Sequence, residues 1–366
     1  MIGRNFRASQ HAPHSCRRSS KRYASAALSL FWVMPWIGCA EGPPPGIREL
    51  VSDSFANHFE LVRKITLEQN DSVIIARVSG MDMDSEGRIL LADASEANVK
   101  LYSRDGRLIR VFGRAGKGPG EFAQPRFPRF GSDGLIHVGD GQATLVHVFR
   151  EDGTFVRTTP LFQFSPVMGL DLLSTGEYIL TAGFHKTHTL FVVDTSGTLV
   201  KALLRRDRLR ATTEPKAPVW RPVTQYWMAV QGDEVVVTTT VSDSLWRVQL
   251  ETGDVQAIHL SFAGYIQPAL PDKAPRSGPD LLAWYKSFHI AAAVFTGTST
   301  VTVPFVQGVL NYGDPMILAH RSTSGQWLAL HGAPPPVFAN DSVYIALLTP
   351  DDDAVTLGLF RPRTMN

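Results

Sequence analysis

Cysteine is nearly missing from this 366-residue chain: its two cysteines, Cys16 and Cys39, both lie within the first 39 residues. The remainder offers no internal disulfide, no thiolate set for zinc and no cysteine nucleophile. No apolar run reaches the roughly 20 residues that a membrane-spanning helix needs. The one sizeable run, residues 24–37, falls short of that. Sustained helical periodicity is absent apart from a short candidate helix near 279–288. There is no G-x-S-x-G nucleophile elbow. The glycine-rich stretch 113–120, GRAGKGPG, lacks the G-x-x-x-x-G-K-[ST] pattern, and Pro125 after it starts a strand rather than a helix, which excludes a phosphate loop.

Acidic residues are also missing from the first 38 positions, which carry Arg4, Arg7, Arg17, Arg18, Lys21 and Arg22. Basic residues ahead of a short apolar run read as an export signal. The run ends Trp36-Ile37-Gly38-Cys39-Ala40. A small residue before a cysteine at this place resembles the lipobox of bacterial lipoproteins, in which the cysteine carries lipid and becomes the first mature residue. Trp36 and Pro35 depart from that pattern, and ordinary signal cleavage at the same small residues is the rival reading. The basic segment is long for a signal, so the true start is open to a position downstream of Met1. The expected organisation is a signal over 1–38, a lipidated, flexible spacer over 39–58, and one folded domain over 59–366.

Removing the leader changes the charge argument. The whole chain has 36 basic and 34 acidic residues, a net charge of +2. All six basic residues of the leader leave with it, so the exported part is mildly acidic. Nothing there suggests the concentrated basic face of a nucleic-acid binder. A domain of about 300 residues without disulfides is large enough to stabilise itself by burial.

What the folded part does contain is short β-rich runs separated by Gly, Asp and Ser turns, the pattern of an all-β sandwich, barrel or propeller. An internal repeat decides among these. Strand candidates at 78–83, 88–92, 98–103 and 107–112 enclose turns at Gly87 and Gly106. A second set follows from Arg126 to Thr158, with turns at Gly134 and Gly153. Weaker sets occupy 168–204, 226–260, 290–330 and 337–360. The fold class is therefore all-β, a six-bladed β-propeller. The last set lacks an outer strand, and the spare segment 59–67, FELVRKITL, is predicted to supply it, closing the ring. The segments 205–224 and 261–288 are shorter than a blade and read as long loops.

Phe112-Gly113, Gly116, Gly118, Gly120, Phe122 and Pro125, with Ala92-Asp93 and Asn98-Val99-Lys100-Leu101-Tyr102, resemble the signature of the NHL-repeat family and of related six-bladed propeller lipoproteins. The resemblance implies a six-bladed propeller and no single activity. Its members include scaffolds, binding modules and a few enzymes.

The turn glycines all fall at one end of the strands. The long loops collect at the other end, where sites usually sit on a rigid scaffold. Candidate ligand-binding residues at that channel mouth are Arg126, Arg129, Tyr226, Tyr285 and His289, which would hold an anionic or sugar-like ligand by forked hydrogen bonds and stacking. The bland alternative makes the arginines inter-blade ion pairs and the aromatics packing. His185 and His188 are spaced to share a metal, but no third ligand is identifiable, and two solvated loop histidines fit as well. Asp93 and Asp140 occupy matching repeat positions, as calcium ligands or as local turn caps. The acidic run 351–353 reads as solvated.

These residues favour a non-enzymatic binding or scaffold protein anchored in a bacterial envelope. Its partner would be another protein, a small molecule or a glycan, its only membrane contact the lipid, and no cofactor is called for. The alternative is a metal-dependent hydrolase or lyase, lactonase-like or amidating-lyase-like, with a central-channel metal ion. The inner-strand residues supply no obvious ligand set for one.

Overall fold

The computed structural model describes residues 47–141, 144–183, 185–210, 225–267, 278–308, 314–348 and 354–364. The expected signal and Cys39 lie outside the described residues, as does the acidic run 351–353. No helix among the described residues is long and apolar enough to cross a membrane.

Six sheets, antiparallel except for two added outer strands, form the propeller. Blade one runs Val78–Met83, Ile89–Asp93, Asn98–Tyr102 and Leu108–Phe112, from channel to rim. Blade two starts at Pro125–Phe130, blade three at Val167–Leu172, blade four at Tyr226–Gln231 and blade six at Pro336–Ala339. The first strand of blade five is broken into His289–Ala291 and Phe295–Thr296, both paired to Val301–Gln307. Second strands such as Ile89–Asp93 and Ile136–Asp140 are buried along their whole length. They pack against neighbours on both faces, which is why they read as unbroken apolar runs rather than as alternating ones.

The turn glycines take the backbone conformation their spacing implies. Gly87, Gly106, Gly134 and Gly153 all have φ between 73° and 89°. At Gly106 the requirement is doubled, because a Cβ there would lie 2.3 Å from the Thr66 carbonyl oxygen on the closing strand.

Ring closure follows the sequence expectation. Phe59–Thr66 pairs antiparallel with Thr356–Pro362 and completes blade six. Ile65 and Leu67 then join Ile345 and Leu357 of blade six and Met81 and Ile89 of blade one in a single apolar seam. Five comparable clusters fill the other inter-blade seams.

Residues 47–58, expected as spacer, are instead built into the fold. Ile47–Glu49 adds a parallel fifth strand outside Val255–Ser261 of blade four. Val51–Ser54 does the same outside Trp327–Ala333 of blade five. The turn of helix Phe55–His58 leads into the closing strand. This belt covers three successive outer edges, which would otherwise present unpaired N–H and C=O groups. It is fastened by apolar contact: Leu50 is buried between blades four and five, and Phe55 stacks on Phe59 at 4.8 Å and meets Tyr344 at 4.9 Å.

His320 couples this region to pH. It is 7% exposed, its Nδ1 is 3.0 Å from Thr302 Oγ1, and its ring meets Phe59 edge-on at 5.4 Å. Burial, and then the nearby charge of His58, lowers its pKa to about 4. In the unfolded chain histidine titrates near 6.5. Because the folded value is depressed, the contribution is complete above pH 6.5 and is lost as pH falls toward 4. The loss should amount to about 3 kcal/mol. Urea denaturation of the wild type and of His320→Asn at pH 7, 5.5 and 4 should show it as the difference between the two profiles, because the raised carboxyl of Asp82 acts with the opposite sign in the same window. Two profiles that run parallel would remove His320 as a source.

Candidate functional site

The inner strands leave a central cavity of about 520 Å³, lined by residues from all six blades. A β-bulge occurs at the same place in four inner strands, where the register skips Ser79, Phe127, Met168 and Val337. Bulges re-aim side chains, and all four residues line the cavity. Phe127 has φ 51°, a conformation that costs a bulky residue roughly 1–3 kcal/mol. Glycines follow two of the bulges because adjacent inner strands approach closely there. A Cβ on Gly80 would sit 2.8 Å from Pro128, and one on Gly169 2.8 Å from Met228.

Buried carboxylates hold the start of two inner strands. Asp93 accepts from the backbone N–H groups of Ala76 (2.8 Å) and Arg77 (3.1 Å), from Ser95 and Glu96, and from Lys100 Nζ at 3.1 Å. Asp140 repeats the motif on Ala123 (2.6 Å) and Gln124 (3.1 Å). Both aspartates therefore cap backbone, and their reach extends beyond their own turn to the preceding inter-blade link. Burial pushes the Asp93 carboxyl up, but these donors together outweigh it and hold the group below its ordinary value.

Two of the five residues singled out at the mouth are arginines, and they have different roles. Arg129 Nε donates to Asp171 Oδ1 at 2.6 Å, which makes it an ion pair from blade two to blade three. Asp82 of blade one completes the group, accepting the Phe130 N–H at 2.9 Å, and burial pushes its carboxyl up to about 6. Arg126 is half-buried, and no carboxylate pairs with it among the described residues. Its guanidinium carbon lies 5.0 Å from the Phe127 ring centroid. Burial, and then the like charge of Arg77, lowers its pKa.

Tyr226 is buried and lines the cavity with Arg126 and Arg129. Tyr285 and His289 do not join them. Tyr285 ends the helix Gly278–Tyr285 and packs on Trp284 and Phe288. His289 is buried, with its Nδ1 accepting the Ile266 N–H at 3.0 Å and its ring stacked on Tyr265. Arg77 and Gln124, which sequence reasoning passed over, do line the cavity. The signal for them was present in Asp93 and Asp140, whose carboxylates hold the backbone of those two residues.

His185 and His188 sit 6.4 Å apart between ring centroids. The Nδ1 of His185 is occupied by the N–H groups of Thr187 and His188, and that of His188 faces Thr187 Oγ1 at 2.9 Å. No group of three potential metal-ligating side chains occurs among the described residues.

Residues 47–127 match a family model described as a 6-bladed beta-propeller. No curated protein matches the chain. A crystal structure of a Bacteroides fragilis protein described as exported aligns with TM-score 0.64 at 14% identity, covering 87% of this chain and 99% of the other. A DUF4221-family member from Bacteroides vulgatus aligns with TM-score 0.59 at 8% identity, covering 84% and 99%. Both likenesses concern the fold alone. A virginiamycin B lyase from Staphylococcus aureus, with TM-score 0.47 at 11% identity over 83% and 99% of the two chains, is too loose a likeness to bear on chemistry.

Proposed function

We propose that this chain is an exported, non-enzymatic binding protein, held to a bacterial envelope by lipid on Cys39, whose central channel takes a small organic ligand. The observation that carries the reading is the cavity of about 520 Å³ with the uncompensated Arg126 at its rim. That volume falls in the range of small-molecule sites, which combine apolar walls with a few polar groups that fix orientation. The basic leader and the Gly38-Cys39 junction support export and lipidation. A fold likeness to a protein described as exported accords with them.

Two measurements test the reading. A thermal-shift screen of small organic molecules against the folded domain should find compounds that raise Tm by several degrees, and Met168→Trp, which fills the channel, should abolish the shift. Shifts that survive the filled channel would place binding elsewhere and defeat the proposal. In a bacterial host the full chain should partition into detergent, and Cys39→Ser should move it to the aqueous phase. Detergent partition that persists without Cys39 would defeat the anchor.

A further inference from the structure

The polar groups lining the channel are distributed very unevenly. Ser79 Oγ is spent on the carbonyls of Ala92 and Pro125. Trp227 Nε1 donates to the Ala291 carbonyl at 2.9 Å. Arg129 is taken by Asp171. Among the described residues, the polar lining side chains that make no hydrogen bond or ion pair are Arg77, Gln124 and Arg126. All three belong to the links and first strands of blades one and two. Most of the other lining side chains are apolar, with Met81, Phe127, Met168 and Met228 prominent.

We infer that the ligand is an organic oxyanion with an apolar body, its head held by Arg77, Gln124 and Arg126 at the boundary of blades one and two and its body lying along the channel. The inference rests on the channel reading above and narrows it to one chemical class.

Three physical arguments support that class. Arg77 and Arg126 line the same cavity and neither is ion-paired among the described residues, so an anion placed beside them supplies the missing counter-charge. Guanidinium forks match carboxylate and phosphate oxygens, and Arg126 is positioned against the Phe127 ring. Elsewhere the polar side chains of the wall are already bonded within the protein, so a sugar would find few partners there and bury unpaired hydroxyls at a free-energy cost. The orientation follows from the same comparison. Asp82 and Asp171 already balance the guanidinium of Arg129, whereas Arg77 and Arg126 have no such counter-charge, so the head goes to their side of the channel.

Decanoate, decyl phosphate, decanol and N-acetylglucosamine, each below any aggregation threshold, provide the calorimetric test on the folded domain. Either decyl oxyanion should bind at least about tenfold more tightly than decanol, the scale of a lost charge-assisted hydrogen bond. N-acetylglucosamine should not bind. Arg126→Gln should lower oxyanion affinity far more than decanol affinity and so remove most of that preference, Arg126→Lys should restore part of it, and Arg77→Gln should cost less. Equal binding of decanol and the oxyanions overturns this inference, while blockage of both by Met168→Trp would leave the channel reading standing. Tighter binding of the sugar than of the oxyanions also overturns it. Absence of binding by all four probes overturns the inference, whereas the channel reading is decided by the broader screen.

Discussion

A chain shortened to begin at Asn70 is expected to lose cooperative folding altogether. Leu50, Phe55, Phe59, Ile65 and Leu67 are each no more than 5% exposed. Burying such a side chain is worth roughly 1.5–3 kcal/mol, so five together amount to about 10 kcal/mol, comparable with the whole net stability of a typical protein. The deletion also strips the outer edges of blades four, five and six at once, leaving three rows of unpaired backbone groups open to aggregation. We expect insoluble material, or a soluble species with no sharp thermal transition in calorimetry. A chain beginning at Phe59 separates the two contributions. It keeps the closing strand and loses the parallel strands, so it should remain soluble and melt several degrees lower. A protein starting at Asn70 that melts with the intact midpoint would show that the belt is not needed for the fold.

The second large effect is expected at Asp93. Its carboxylate and the Lys100 ammonium are both fully buried, 3.1 Å apart, with Lys100 also donating to Asn98 at 2.8 Å. Removing one member of such a pair leaves an uncompensated interior charge and typically costs about 3–5 kcal/mol. Asp93→Ala additionally frees four backbone N–H groups. A fall in Tm on the order of 10 °C is expected by differential scanning calorimetry. Lys100→Met with Asp93→Ala together should recover part of the loss, because the stranded ammonium is gone. The acid dependence has a definite sign. Since the folded Asp93 pKa is lowered, its contribution is present above the ordinary carboxylate value near 3.8 and is lost as pH drops below it. A single variant within a degree of the wild type would mean that neighbouring groups compensate.

The parts of the fold legible in the sequence are those with local chemistry. Glu-Gly and Asp-Gly turns 19 residues apart announce hairpins whatever surrounds them, and the spare strand at Phe59 follows from a blade that lacks one. The belt left no comparable trace. Ile47–Glu49 and Val51–Ser54 are short, follow a proline-rich stretch, and pair with His259–Ser261 and Leu328–His331 far along the chain. Nothing in the local sequence selects such partners. At the candidate site, counting strands puts Arg126 and Tyr226 on inner strands, and both line the cavity. His289 was misplaced because it begins a three-residue strand and its ring turns to Tyr265 and Ile266 instead of the channel. Arg77 and Gln124 precede their strands, where no periodicity marks them.

The two ribbons that shut the ring come from opposite ends of the polypeptide. Thr66 meets Thr356 across 290 residues, and Glu60 meets Arg363 across 303. Contacts this remote in sequence form late, because the chain entropy of so long a loop must be overcome before they return anything. A molecule emerging amino end first would therefore carry its fastening strand idle until the final blade had appeared. Synthesis of the chain and completion of the native state would be separate events, in that order.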